Sequence, residues 1–126
     1  MDFFSTEKAP QAVGPYSQAT ASGNLVFVSG QIGLDPATMK IVDGGVEPEA
    51  EQVFANLKAV LGAAGLAMDN VVKATVFLMD MGDFQKVNAI YERAFGGHKP
   101  ARAAIQVAGL PLGARVEVEC IAERGA

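Results

Sequence analysis

The chain has 126 residues, half of them apolar, and a formal net charge of −4 at pH 7, which together predict a single domain, residues 1–126, around one hydrophobic core. Its one cysteine, Cys120, excludes an internal disulfide, and with a single histidine there is no usual zinc-ligand set, so no metal site is expected. The ten Lys and Arg residues are scattered singly, which argues against nucleic acid as a partner.

The first third of the chain predicts an arm followed by a hairpin. Two phenylalanines lead into a loop punctuated by Pro and Gly, so residues 1–15 form the arm. The apolar, β-branched run 25–32 predicts a buried strand. The turn Gly23-Asn24 allows residues 16–20 to pair back against that strand.

Two amphipathic helices are predicted in the middle of the chain. The first follows Gly44-Gly45 and has Pro48 in its first turn. The second follows the β-prone run 71–79 and is capped by Asp80 or Asp83. Each helix has one apolar stripe at helical spacing: Val53, Phe54, Leu57, Val60, Leu61 and Ala64 in the first, and Phe84, Val87, Ile90, Tyr91, Ala94 and Phe95 in the second.

Two further strands, 101–107 and 115–122, are joined by the Gly/Leu/Pro turn 109–113. The order of elements predicts an α+β fold in which both helices pack on one face of a mixed sheet. The other face is then left uncovered, and the high apolar content without Trp favours its burial by further subunits.

Arg102 is the strongest candidate for a binding residue. Strict alternation puts Arg102, Ala104 and Gln106 on one face of their strand, and we expect that face to point away from the helices. Small neighbours would let a ligand approach the guanidinium, whose fork suits a carboxylate. A solvated or salt-bridged strand arginine is the alternative reading.

The last strand carries two acidic candidates. Glu117 and Glu119 are expected to share Arg102's side of the sheet, as a general acid or base or as ordinary surface carboxylates. Cys120 points the other way, towards the helices, and is expected to be an inert packed thiol.

The remaining candidates are polar residues at unusual places. Tyr16 either packs half-buried or turns its hydroxyl into a pocket. Gly30, after Ser29, interrupts a strand and marks a bulge or a close approach of another group. Asn88 in mid-helix should make a hydrogen bond, and His98 is expected in an exposed loop.

Hydropathy also bears on location. The first residues lack a basic segment followed by an apolar run, and no apolar stretch approaches the ~20 residues that a bilayer requires. We therefore expect no membrane association and a cytoplasmic location, an organelle lumen being the alternative.

Six segments, in this order and spacing, resemble the RidA family, also called YjgF/YER057c/UK114, over nearly the whole chain. The segments are AVGPYSQA (12–19), VSGQI (28–32), VNAIY (87–91), KPARA (99–103), VAGLP (107–111) and VEVECIA (116–122). The resemblance implies a chorismate-mutase-like fold and a homotrimer with a central barrel, external helices and clefts between subunits.

The resemblance also implies an activity: deamination of reactive enamines and imines such as 2-aminoacrylate, 2-iminopropanoate and 2-iminobutanoate to 2-keto acids and ammonia, without a cofactor. Small 2-imino and 2-enamino carboxylic acids would then be the partners. The alternative is a non-catalytic trimer that binds a small carboxylate in a regulatory or chaperone-like role. RNA cleavage, also linked to the family by name, ranks last because of the negative net charge.

The family's functional residues fall on matching positions here. The carboxylate-binding arginine is Arg102, and the hydrogen-bonding residues are Tyr16, Ser29, Asn88 and Glu117, with backbone contacts from Gly30. Ala104 stands where many relatives have a cysteine, and it suffices if that position acts through its backbone carbonyl. Arg102, Glu117 and Ala104 are thus the predicted catalytic group.

Overall fold

The computed structural model describes residues 1–125, so Ala126, the last residue of the predicted domain, lies outside the described residues. Eight regular elements follow one another in the order predicted, apart from an additional first strand. They are β1 (Asp2–Phe4), β2 (Ala19–Ser22), β3 (Leu25–Ile32), α1 (Val46–Ala63), β4 (Val71–Leu78), α2 (Phe84–Phe95), β5 (Ala101–Gln106) and β6 (Val116–Glu123).

The strands form one mixed sheet in the order β1-β2-β3-β6-β4-β5. Only β4 and β5 are parallel, because the chain between them crosses over through α2. β1 pairs with β2, so part of the predicted arm is an edge strand. β5 forms the opposite edge.

Residues at both ends of α2 account for where this helix begins and ends. Gly96 adopts the left-handed conformation (φ 59°) just after α2, which a residue without Cβ does at little cost. Asp80 accepts a hydrogen bond from the Gly82 N–H and caps a short 3₁₀ turn, and α2 starts one turn later. Asp83 immediately precedes α2 but makes no side-chain capping bond, so neither predicted residue caps α2 itself through its side chain.

The hydrophobic core lies between the helices and one face of the sheet. The predicted stripe of α1 is buried from Val53 to Leu61, and α2 buries Val87, Ile90, Tyr91 and Phe95. Beneath them lie alternate residues of the central strands: Val26, Val28, Ala74, Val76, Val118 and Cys120. The α+β fold with both helices on one face of a mixed sheet is confirmed.

The opposite face of the sheet exposes large apolar side chains. Phe3 is 68% exposed, Phe27 41% and Ile105 46%. Register places Phe3, Thr20, Phe27 and Ile121 in one row across four strands. We call the side chains of this helix-free side the open face.

One prediction about β5 is wrong. Arg102 pairs with Ala74, a fully buried core residue, and paired residues project on the same side of a sheet. Arg102 and Ala104 therefore lie on the helix side, whereas Ile105 lies on the open face. Alternation separates two faces, but it does not say which one the helices cover.

None of the helices formed by residues 1–125 is both long enough and apolar enough to cross a bilayer.

Candidate functional site

A cavity of about 720 Å³ lies at the end of β3, where four of the predicted site residues meet. Ser29 and Gly30 come from a β-bulge, which shifts the β3–β6 register between Val28 and Gln31. Glu117 comes from the facing part of β6, and Tyr16 from the loop before β2. We call Tyr16, Ser29, Gly30 and Glu117 the acidic half-site.

Gly30 and Glu117 are in direct contact. A Cβ at position 30 would overlap the Glu117 Oε2 and would lie 2.9 Å from its Cδ. A residue without a side chain is therefore needed for the carboxylate to lie against the β3 backbone. The close approach that the glycine indicates in the sequence is present, as is the bulge.

The environment of Glu117 favours its protonated form. Burial raises the pKa of its carboxyl above the usual value, and the nearby charge of Glu119, two residues along the same face, raises it further. A raised pKa moves a carboxyl towards neutral pH, and this is the direction that favours a general acid or base.

Ser29 and Tyr16 present polar atoms to the cavity. The Ser29 hydroxyl donates to the Ser17 carbonyl at 2.6 Å, so its oxygen remains free to accept from a ligand N–H. Tyr16 is 53% exposed at the cavity mouth, and the backbone fixes its position through a bond from its N–H to the Gly14 carbonyl, 2.9 Å. Tyr16 thus lines the cavity, and the role of its hydroxyl stays a prediction.

Arg102 and Asn88 form a second cluster. The Arg102 Nη1 donates to the Asn88 Oδ1 at 2.6 Å, which gives the mid-helix asparagine the hydrogen bond expected of it. No acidic side chain within residues 1–125 forms an ion pair with Arg102. The guanidinium therefore keeps most of its donors and its full charge for a ligand.

Two aromatic rings of α2 lie against the same guanidinium. The Arg102 Cζ is 4.8 Å from the centre of the Tyr91 ring and 5.4 Å from that of Phe84. Burial raises the pKa of the Tyr91 hydroxyl, and the charge of Arg102 opposes this only in part, so the ring is uncharged at neutral pH. The sequence pattern assigned both rings to the apolar stripe only.

Ala104 presents its backbone rather than its side chain. The Val107 N–H bonds to the Leu78 carbonyl of β4, and the direction of backbone groups alternates along a strand. The N–H and C=O groups of Ala104 and Arg102 must then point to the free edge of the sheet. We call Arg102, Asn88 and Ala104 the arginine half-site.

The two half-sites lie on opposite sides of the sheet. Glu117 pairs with Phe77 and, through it, with Ile105 of the open face, whereas Arg102 lies on the helix side. The expectation that Glu117 and Glu119 share Arg102's side is therefore wrong. Within one chain, Arg102 and Glu117 cannot contact the same small molecule.

Cys120 and His98 lie outside both half-sites. Cys120 is buried on the helix side, and burial, with a smaller contribution from Glu119, raises the pKa of its thiol to about 12, so it is an unreactive thiol as predicted. A ring nitrogen of His98 lies 2.6 Å from the Val71 carbonyl, so this residue is partly buried and not simply an exposed loop residue.

Several cavity-wall residues were not identified from the sequence. Val13, Met39, Pro111 and Leu112 line the same cavity as Glu117. Met39 and Leu112 have positive φ angles of 58° and 56°, which is unusual for residues with a side chain. No periodic pattern marks loop residues of this kind, whereas the spacing of Phe84, Asn88 and Tyr91 on one helix face could have identified the neighbours of Arg102.

Comparison with known proteins places the chain in one family, although its members are named for two activities. Residues 6–124 match the family model described as endoribonuclease L-PSP. The 2-iminobutanoate/2-iminopropanoate deaminase of Mus musculus is 55% identical over 121 residues, which cover 96% of this chain and 90% of that protein.

Solved structures agree in fold as well as in sequence. A candidate endoribonuclease from Thermotoga maritima has a TM-score of 0.97 and 49% identity, covering 100% of this chain and 99% of that one. RidA from the Antarctic bacterium Psychrobacter sp. has a TM-score of 0.93 and 47% identity, covering 98% and 99%. The resemblance of the six sequence segments is thus confirmed, and the chain belongs to the RidA family, whose family model is described as endoribonuclease L-PSP.

Proposed function

We propose that this protein is a hydrolytic deaminase that converts small 2-imino and 2-enamino carboxylic acids, such as 2-iminopropanoate and 2-iminobutanoate, into 2-keto acids and ammonia. The observation that carries the proposal is an arginine held in place without an acidic partner, as a carboxylate-binding group requires. The reaction also needs a group that can transfer a proton, and the Glu117 carboxyl, whose pKa is raised, lines the cavity. The names of relatives about half identical to the chain support the same reaction.

The reaction follows from the roles of three groups. Arg102 binds the substrate carboxylate, and a water held by Glu117 and the Ala104 carbonyl adds to the C2 of the imine. Glu117, or a water bonded to it, then carries a proton to the nitrogen, and the C–N bond of the carbinolamine breaks to leave the C2 carbonyl and ammonia. The rate gain comes from orientation and proton transfer, and free imines already hydrolyse readily.

The active assembly in this proposal is a homotrimer. Because the two half-sites of one chain face different ways, the complete site combines the acidic half-site of one subunit with the arginine half-site of its neighbour. Two features support this arrangement: β5 is an edge strand whose Arg102 and Ala104 backbone groups are unpaired with β4, and the open face exposes apolar side chains that a partner would cover. We place the reaction in the cytoplasm, as expected from the sequence, and cell fractionation would test this.

The charges of the chain do not favour RNA as the substrate, although the family description contains the word endoribonuclease. The cavity is lined by both Glu117 and Glu119, and the net charge is −4. Acidic side chains give the cavity no attraction for a phosphodiester backbone, and the negatively charged chain as a whole would not attract a polyanion.

Keto-acid release tests the proposal directly. An amino-acid oxidase generates 2-iminopropanoate from alanine while semicarbazide competes for the free imine. We expect the native protein to divert the imine to pyruvate, and the Arg102→Ala variant to lose this effect. If native protein and buffer give the same semicarbazone yield, but pyruvate still raises the melting temperature of the native protein alone, the chain is a carboxylate-binding protein and not a deaminase.

A further inference from the structure

The strongest unassigned feature of the molecule is the set of contacts around the Arg102 guanidinium. All three come from one face of α2, at positions 84, 88 and 91, which have the i, i+4, i+7 spacing of neighbouring helix turns. We call Phe84, Asn88 and Tyr91 the α2 cradle. We infer that the Tyr91 ring, assisted by that of Phe84, is a positioning residue that holds the Arg102 guanidinium ready to bind the carboxylate of the ligand.

The geometry divides the guanidinium between two kinds of contact. Aromatic rings attract the flat face of the group, whereas carboxylates bind the N–H donors at its edge. Asn88 takes one donor of Nη1, and the rings take none. The cradle can therefore fix the group without competing for the donors that a carboxylate needs.

Tyr91 is better placed for this role than Phe84. Its ring is the nearer one, at 4.8 Å against 5.4 Å, and the residue is only 7% exposed. Phe95 packs directly on it, with ring centroids 4.5 Å apart, and this contact limits how far the ring can move when Arg102 does. A free arginine loses rotamer freedom when it binds a ligand, and a fixed surface removes part of that loss beforehand.

The ring of Tyr91, and not its hydroxyl, is the part that acts. The hydroxyl oxygen is buried and makes no hydrogen bond within the described residues. Phenylalanine would preserve the ring, its contact with Arg102 and its packing. Tyr91→Phe is therefore the conservative variant, which should bind the ligand as the native protein does. Tyr91→Leu is the variant that removes the aromatic ring.

The test compares Tyr91→Leu, Tyr91→Phe and Phe54→Leu in the full-length protein. Phe54→Leu is the matched control, because it makes the same kind of change in the same aromatic cluster, on the side of α1. We expect the Kd for pyruvate, measured by calorimetry, to rise about fivefold to thirtyfold in Tyr91→Leu and to stay within about twofold of native in the other two. In turnover assays, Tyr91→Leu should raise KM and leave kcat nearly unchanged, because a carboxylate anchor binds ground and transition states alike.

A second readout does not depend on binding. The Nε–H resonance of Arg102 in the native protein should be displaced by the ring current of Tyr91, and this displacement should vanish in Tyr91→Leu and persist in Tyr91→Phe and Phe54→Leu. If Tyr91→Leu fails to fold, Phe84→Leu replaces it, because the Phe84 ring is only partly buried. The Kd of Phe84→Leu for pyruvate should rise at least about twofold. An unchanged pyruvate Kd in the folded ring-removing variant, or equal losses in Phe54→Leu, would overturn the inference.

The inference rests on the proposed function only in naming Arg102 as the carboxylate anchor. If the native protein binds pyruvate in a Tyr91-dependent way but releases no keto acid from imines, the cradle stands and the deaminase proposal fails. If it releases keto acid while Tyr91→Leu has native KM and Kd, the cradle fails alone.

Discussion

At position 30 the lack of a side chain is what allows Glu117 to reach the cavity. We predict that Gly30→Ala lowers kcat by about tenfold to a hundredfold, because the new Cβ displaces the Glu117 carboxylate. Stability should change by no more than about 1 kcal/mol, since the atoms in the way belong to the end of a flexible side chain. Turnover and denaturant unfolding of the same preparation would check both expectations.

Gly33→Ala is the matched control for that substitution. There a Cβ would lie 2.8 Å from the Glu49 Cα, and backbone gives way less easily than a carboxylate does. This variant should lose about 1–3 kcal/mol of unfolding free energy and keep a kcat near native. If Gly30→Ala instead lost stability but not turnover, Glu117 would not be the proton carrier.

Glu117 should also show a trade-off between activity and stability. Its raised pKa means that the folded state binds the proton more tightly than the unfolded chain does. Its contribution to stability is therefore fully present below about pH 4.3, the usual glutamate pKa, and is lost as the pH rises through the folded-state pKa. Glu117→Gln, neutral at every pH, should melt at a higher temperature than native protein at pH 7, with the difference closing towards pH 4.

The same variant should release no keto acid, because an amide cannot carry the proton. Thermal unfolding at several pH values, together with the semicarbazide assay at pH 7, checks the two halves of this expectation. A native-like keto-acid yield from Glu117→Gln would contradict the assigned role, and a lower melting temperature at pH 7 would contradict the pKa direction.

At the scale of elements, Glu49 joins the start of α1 to the start of β6. Its side chain is fully buried and accepts from both the backbone N–H and the guanidinium of Arg115, at 2.8 and 2.7 Å. We predict that Glu49→Gln costs about 1–3 kcal/mol of unfolding free energy, since it weakens two hydrogen bonds to a buried charge.

Glu47→Gln is the control for this substitution. Glu47 lies in the same first turn of α1 but is exposed. Its substitution should therefore remove only its interaction with the helix dipole, which contributes about 0.3–1 kcal/mol to the unfolding free energy. Urea unfolding of the two variants, side by side, measures the difference. Equal losses would mean that the buried bonds to Arg115 contribute nothing specific.

The elements themselves could be predicted well because each depends on a local pattern. The stripe of α1 and the alternation of β6 require only the neighbouring residues, and both are found. The face of β5 could not be predicted, because Arg102 and Ile105 exchange the sides that their polarity suggests: the arginine reaches aromatic rings of α2, and the isoleucine faces the open face. That outcome depends on a helix distant in sequence and on a surface that further subunits are expected to cover.

The candidate site was likewise predictable only where it depends on local sequence. The bulge at Gly30 and the hydrogen bond of Asn88 were foreseeable from single residues in unfavourable places. The separation of Arg102 from Glu117 was not, since it follows from which side of the sheet each strand presents. The burial of Glu49 and the positive φ angles of Met39 and Leu112 likewise arise from tertiary contacts that leave no periodic signal.

At the scale of the whole molecule, the opposed half-sites lead to a prediction about assembly. If each complete site takes Arg102 from one subunit and Glu117 from the next, Arg102→Ala and Glu117→Gln are inactive alone but can complement each other. In a closed ring assembled at random from equal amounts of the two, each site has one chance in two of a native Arg102 and one in two of a native Glu117. Co-refolding the variants should therefore restore about a quarter of the native keto-acid release.

The controls fix the interpretation. Mixing the two folded variants without unfolding should restore less keto-acid release than co-refolding does, because subunits must exchange before mixed sites form. Sedimentation of the native chain should show a trimer. Ile105→Glu, which places a charge on the open face, should shift the equilibrium between trimer and monomer towards the monomer and should lower turnover. If co-refolded variants remain inactive while each one still assembles, Arg102 and Glu117 do not meet across subunits. They could not then act on one substrate, since within a single chain they lie on opposite sides of the sheet.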